Sequence, residues 1–178
     1  MLKKVLIILA VLIALPFILA LFAPNYYSVV TTVDIARDNQ TVYDYVVLLK
    51  NQDNYSVWAQ MDPQMQKSYR GEDGQVGFVS AWKSDNPDVG EGEQEIIAIV
   101  PGQRIDYELR FLVPFEAVSP AYMIVTPIGA NQTQVTWGFT GHLDYPMNLM
   151  MWFIDFETMI DNDLSQGLAA LKGILESQ

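Results

Sequence analysis

His142 is the only histidine in the chain, and there is no cysteine. One imidazole without thiols rules out a two-histidine or thiolate metal site. As a general base His142 would need a carboxylate to orient its ring, and Asp144 is the one sequence-local candidate. A surface histidine at the end of a strand is the simpler reading. Asp161-Asn162-Asp163 has the look of a calcium loop, but no glycine and bidentate glutamate follow at loop spacing and the tripeptide lies in helical sequence. Glu91, Glu93 and Glu95 alternate along one extended run and so share a face. Such a row is ordinarily a solvated outer face. No phosphate loop, dinucleotide fingerprint, nucleophile elbow or zinc-protease motif occurs. The residues assign no catalytic group, no metal site and no cofactor.

What stands out instead is apolar and aromatic surplus. Trp58, Phe78, Trp82, Tyr107, Leu109, Met123, Trp137, Phe139, Met151 and Trp152 fall on presumed inner positions. They would line either a large core or, where a curved sheet cannot be filled by one helix, a cavity for a hydrophobic ligand. Phe111 and Phe153 belong to the same surplus.

The elements that must position these side chains begin with a compositionally separate segment. After Lys3 and Lys4, the run Val5 to Ala23 carries no charge. At about 1.5 Å per residue it approaches the roughly 20 residues that span a bilayer. A cleaved signal peptide is the rival, but a cut after Ala23 puts Leu21 at −3 and Pro24 at +1, against the small-residue rule. The expectation is an uncleaved single-pass anchor over residues 1–25, followed by one domain over 26–178. The lysines would keep the N-terminus in the cytoplasm, Tyr26 and Tyr27 would sit at the interface, and the domain would lie on the periplasmic or extracellular side of the cytoplasmic membrane. Both basic residues of the anchor set aside, the remainder has eight Lys and Arg against 21 Asp and Glu. That surface repels phosphate backbones, which makes nucleic acid an unsuitable partner.

Val29 to Ile35 is β-branched and reads as a strand. Val42, Tyr45, Val46 and Leu49 then recur at helical spacing behind Asn39 or Thr41 as cap. From Met65 to about Leu143 the period becomes two, broken by turn residues at Gly71-Glu72-Asp73-Gly74, Ser84 to Asp88, Pro101-Gly102, Val113-Pro114 and Gly129-Ala130-Asn131. These breaks separate six strands, most economically an antiparallel meander. In Arg104 to Phe111, Ile105, Tyr107, Leu109 and Phe111 face one way and the charged residues the other. A single amphipathic helix is expected from about Asn148 to Glu176, with Leu149, Trp152, Phe153, Phe156, Ile160, Leu164, Leu168, Leu171 and Leu175 on one face. Its first turns, residues 147–154, are apolar all round and are expected to form a pocket mouth or contact site.

Strand, helix, connection, meander and long C-terminal helix is the order of the helix-grip fold: α+β, a curved antiparallel sheet of about seven strands wrapped on one helix. The segments Tyr55 to Met65, Val89 to Ile96, Arg104 to Glu116, Val135 to Gly141 and Pro146 to Ile160 also resemble the SRPBCC or START-like superfamily, specifically its membrane-anchored bacterial members labelled polyketide cyclase/dehydrase. The resemblance implies a hydrophobic cavity between sheet and helix and brings no shared catalytic set. Three functions follow as alternatives: an anchored binder of a hydrophobic small molecule or lipid, which is preferred; a polyketide-cyclase-like enzyme using His142, Tyr107 or a buried carboxylate; and an envelope protein-interaction domain with a filled core.

Overall fold

In the computed structural model, which describes residues 2–178, the apolar N-terminal run is one helix, α1 (Leu2–Ala20), long and apolar enough to cross a membrane. The order that follows is β1 (Tyr26–Ile35), α2 (Asn39–Val46), a 3-10 turn (Leu49–Asn54), α3 (Val57–Met61), β2 (Gln66–Arg70), β3 (Val79–Lys83), β4 (Glu91–Val100), β5 (Arg104–Val113), β6 (Ala117–Gly129), β7 (Gln132–His142), a second 3-10 turn (Met147–Trp152) and α4 (Phe156–Glu176). The seven strands form one antiparallel sheet ordered β1-β7-β6-β5-β4-β3-β2. Six strands therefore meander, as the turn residues require, and β1 closes the far edge beside β7. Register shifts in β4, at Glu91/Gly92 and Ile96/Ala98, mark bulges of the kind that bend a strand.

Period-two alternation sorts the faces as expected. Gly92, Gln94 and Ile96 of β4 point inward and are buried, while Glu91, Glu93 and Glu95 lie outside. The glutamate row is taken up by cross-strand ion pairs: Glu91 with Lys83, Glu93 with Arg70 and Arg110, Glu95 with Arg110. Exposed pairs of this sort contribute about 0–1 kcal/mol each. Their main effect is to hold register and keep the outer face wet.

Two helix boundaries differ from the sequence expectation. Asp38, not Asn39 or Thr41, caps α2 and accepts from the Thr41 amide at 3.0 Å. More consequentially, the long C-terminal helix starts at Phe156 rather than near Asn148. Asp155 stops any earlier start: its carboxylate accepts from the Thr158 amide at 3.0 Å and its backbone leaves the helical region. Residues 147–152 instead wind as a 3-10 turn, so Leu149, Trp152 and Phe153 do not continue the α4 face. Phe153 is 80% exposed.

The sheet has two ends, and they pack differently. At one end α4 finishes: Arg37 Nε donates to the Leu175 carbonyl at 2.7 Å, and the Ala36 amide donates to Glu176. Here Leu168, Leu171 and Leu175 join Ile35, Val42, Val46, Ile105 and Val125 in a closed core, each such side chain contributing about 1.5–3 kcal/mol by burial. α4 comes close enough because residue 167 is glycine; a Cβ there would lie 3.0 Å from the Trp137 ring. At the other end lie the start of β1, the end of β7 and the β3–β4 and β5–β6 connections, with Tyr26 paired to His142 and Glu91 to Val113. This is also where α1 meets the domain. Asn148, 4% exposed, donates to the Ala20 carbonyl at 2.8 Å and the Ala23 carbonyl at 3.1 Å, taking up carbonyls at the helix C-terminus.

Candidate functional site

Between the inner face of the sheet and the first turns of α4 the core opens into a cavity of about 350 Å³. Its floor comes from the middle of β3 to β7, its roof from Ile160 and Leu164 of α4, and one wall from Trp58 and Ala59 of α3. Its mouth is bounded by Pro87, Asp88 and Val89, by Val113, Pro114 and Phe115, and by His142 and Leu143. All of these belong to the sheet end at which α1 joins.

Of the side chains singled out from sequence, Trp58, Trp82, Leu109, Trp137 and Phe139 line this cavity. Trp82 lies over Gly92, whose missing Cβ would come within 2.7 Å of the indole, and meets Phe111 edge to face at 6.1 Å. Its Nε1 donates to the Val89 carbonyl at 3.3 Å, which ties the β3–β4 connection down at the mouth. Trp137 stacks edge to face on Tyr55 at 5.8 Å. Phe78, Tyr107 and Met123 are instead packed in the closed core, each at most 2% exposed. Alternation assigns them the right face, but register moves them toward the filled end. Met151 and Trp152 do not reach the cavity either; the 3-10 turn carries them to a separate cleft with Pro24, Tyr26, Phe153 and Phe156 beside the end of α1.

Several lining residues carried no sequence signal. Ser80 of β3 pairs with Gln94 of β4, Gln94 with Leu109 of β5, and Leu109 with Ser119 of β6. This register row crosses the cavity floor and presents an amide and two hydroxyls on an otherwise apolar surface. Gln94 is 8% exposed and Ser119 3%. None of the three side chains is bonded to another described residue; they open onto the cavity.

Among the ionisable groups on the lining, Asp53 and Lys67 are paired with each other, while Asp88 and His142 stand at the rim. Asp53 accepts from Lys67 and, at 3.0 Å, from the Tyr69 hydroxyl, whose pKa is pushed up to about 12 by burial and by the Asp53 charge. His142 stands at the rim with its ring 4.3 Å from that of Tyr26. Its Nδ1 is 3.6 Å from Asp144, outside hydrogen-bond range, and that carboxylate is 88% exposed. The pair is therefore not a held acid–base dyad. Tyr107 is enclosed away from the space, and burial drives its hydroxyl far above the ordinary value, so it stays protonated. Asp161 accepts from Thr31 on the α4 surface, and no group of three or more His, Asp or Glu among the described residues is arranged to hold a metal ion.

The fold is widely shared. The chain is similar to truncated norcoclaurine synthase from Thalictrum flavum, with 10% identity and a TM-score of 0.62 over 86% of this chain and 95% of that one. It resembles the Mll3558 protein from Rhizobium loti at 17% identity and a TM-score of 0.61, covering 83% and 96% respectively. The di-domain ARO/CYC StfQ from the steffimycin biosynthetic pathway gives 10% identity and a TM-score of 0.65, with 86% of this chain matching 51% of that one. At these identities the likeness concerns the fold alone. No curated protein matches the sequence. The family model for polyketide cyclase / dehydrase and lipid transport matches residues 27–176, almost the whole of the chain after α1, and the chain belongs to that family.

Proposed function

We propose that the protein is a membrane-anchored binding domain that holds a hydrophobic small molecule or lipid in the cavity between sheet and α4. The observation that carries this reading is the position of the mouth. The cavity opens at the same end of the sheet as the C-terminus of α1, so with α1 in a bilayer the opening faces the membrane at short range. Val113, Phe115, Trp152, Phe153, Tyr26 and Phe22 are all exposed around that end, an apolar and aromatic collar suited to a headgroup region. In this arrangement the domain lies on the far side of the membrane from Lys3 and Lys4.

A binding role accounts for the lining better than catalysis does, because the polar groups inside are neutral or already paired. The interaction-domain alternative needs a filled core, and the 350 Å³ space argues against it. A cyclase-like activity keeps one point in its favour, the placement of His142 at the rim. His142→Ala should leave ligand content unchanged if the domain only binds.

The test uses the full chain in its membrane. Because cysteine is absent, a single Ser177→Cys substitution reports topology by labelling of intact cells with an impermeant maleimide. The same protein, moved into nanodiscs and analysed by native mass spectrometry, should carry a lipophilic molecule that Ala121→Trp, which fills the cavity, displaces. A label-free cell exterior would overturn the topology. An empty wild-type cavity that also excludes added lipids would overturn the binding role.

A further inference from the structure

The chemistry of the cavity floor narrows the ligand class, given the binding role proposed above. An occupant that covers an amide or hydroxyl of the floor without hydrogen-bonding it forfeits about 1–3 kcal/mol. Gln94 and Ser119 are more than nine-tenths buried, and what their polar atoms still reach is the cavity; Ser80 and Gln94 sit side by side on β3 and β4, and Ser119 lies in the same register row on β6, beyond Leu109 of β5. Apolar residues at all three sites would close the floor more favourably, so a row of this kind is suited to a partner that enters from the cavity.

Around it the lining is apolar: Leu109 lies in the same row, Trp82 and Phe111 toward the mouth, Trp137 and Phe139 toward α4. We infer that the cavity selects a neutral amphiphile, with a hydroxyl, carbonyl, ester or amide seated on Ser80, Gln94 and Ser119 and its hydrocarbon part against the aromatic walls. Gln94 offers two N–H donors and one carbonyl acceptor, and each serine can do either, so a neutral group that donates or accepts is matched without a proton being moved. A carboxylate or phosphate is not. Lys67 is the one Lys or Arg on the lining and is already paired with Asp53, and an anion taken from water without its own counter-charge is heavily penalised. His142 stands at the rim, away from the row.

Photoreactive probes with a common sixteen-carbon chain separate the possibilities: diazirine-bearing hexadecanol, hexadecanoic acid and hexadecane, each added to the full chain in nanodiscs. Crosslinks to β3 to β6 are quantified by peptide mapping, normalised to labelling of α1 so that bilayer partitioning cancels. The alcohol should label the cavity strands at least tenfold more than the acid or the alkane. Gln94→Leu should reduce the alcohol to the alkane level, and Ser119→Ala, a smaller change that tests the same row if Gln94→Leu fails to fold, should reduce it severalfold. Equal labelling by all three probes, or none lost in either variant, overturns the selection while leaving the binding role intact. Preferential labelling by the acid overturns it as well. Absence of cavity labelling by every probe would instead overturn the binding role.

Discussion

Two leucines on one face of α4, about two turns apart, offer a direct measure of whether the space beneath the helix is open. Leu164 is 2% exposed and lines the cavity, and Leu171 is 0% exposed and lies in the closed core. Replacing either by alanine removes three carbons, or about 2.4 kcal/mol at roughly 0.8 kcal/mol per buried methylene. At Leu171 the surrounding side chains touch on every side, so a void opens and adds a cost of about 24 cal/mol per Å³, bringing the total to roughly 3–5 kcal/mol. At Leu164 the removed volume merges with a space that already exists. The contacts on that side are absent beforehand, and the total should stay near 2 kcal/mol. The difference of about 1–3 kcal/mol is measurable from urea-dependent hydrogen exchange of the β6 and β7 core amides, in ligand-stripped full chain in nanodiscs. Equal losses, or a larger loss at Leu164, would mean that the space is filled or collapsed and that the packing argument is wrong.

Three other perturbations address the mouth, the junction of α1 with the domain and the outer face. Gly90 has φ +64° and a Cβ there would fall 2.1 Å from the Val113 carbonyl oxygen, so Gly90→Ala should cost about 1–3 kcal/mol and raise hydrogen exchange at residues 113–117. Asn148→Ala should strip two carbonyl partners from the end of α1; electron-electron distance distributions between spin labels on α1 and β6 should broaden, with the sheet's melting temperature little changed. The Glu93 carboxyl is held below its ordinary 4.5 by hydrogen bonds from Arg70 and Arg110, so its contribution is present above pH 4.5 and lost as pH falls through the lowered folded-state value. The stability gap between wild type and Arg110→Gln should therefore narrow below pH 4.5 in acid-melting curves.

Most of the fold was legible because it rests on local rules. Glycine- and proline-bearing breaks, period-two alternation and the leucine stripe at 164, 168, 171 and 175 each report a single element and its buried face. The start of α4 is masked for a local reason too: Met147 to Phe153 is apolar at helical spacing, and the capping pair that marks the true beginning, Asp155 and Thr158, is a weaker local signal than that apolar run. The site was legible only by half. Alternation says that Tyr107 and Leu109 share a face, but not that the first is enclosed in the core near Tyr43 of α2 and the second borders an opening; that depends on how far along the curved sheet each pairing falls. The placement of Ser80, Gln94 and Ser119 was invisible for the same reason, since three unremarkable polar residues come onto one register row only through the pairing of four strands.

The Asn148 clamp has a consequence for range. Five residues separate α1 from β1, a reach of under about 18 Å at full extension, and the clamp holds part of even that short span. With α1 in a bilayer the domain has no arm on which to swing. On the binding role proposed above, a bound molecule would travel sideways with the lipid but not across an aqueous gap, so a giver and a receiver would both have to come to it within the same sheet of membrane. The protein would then serve as a fixed berth rather than a ferry.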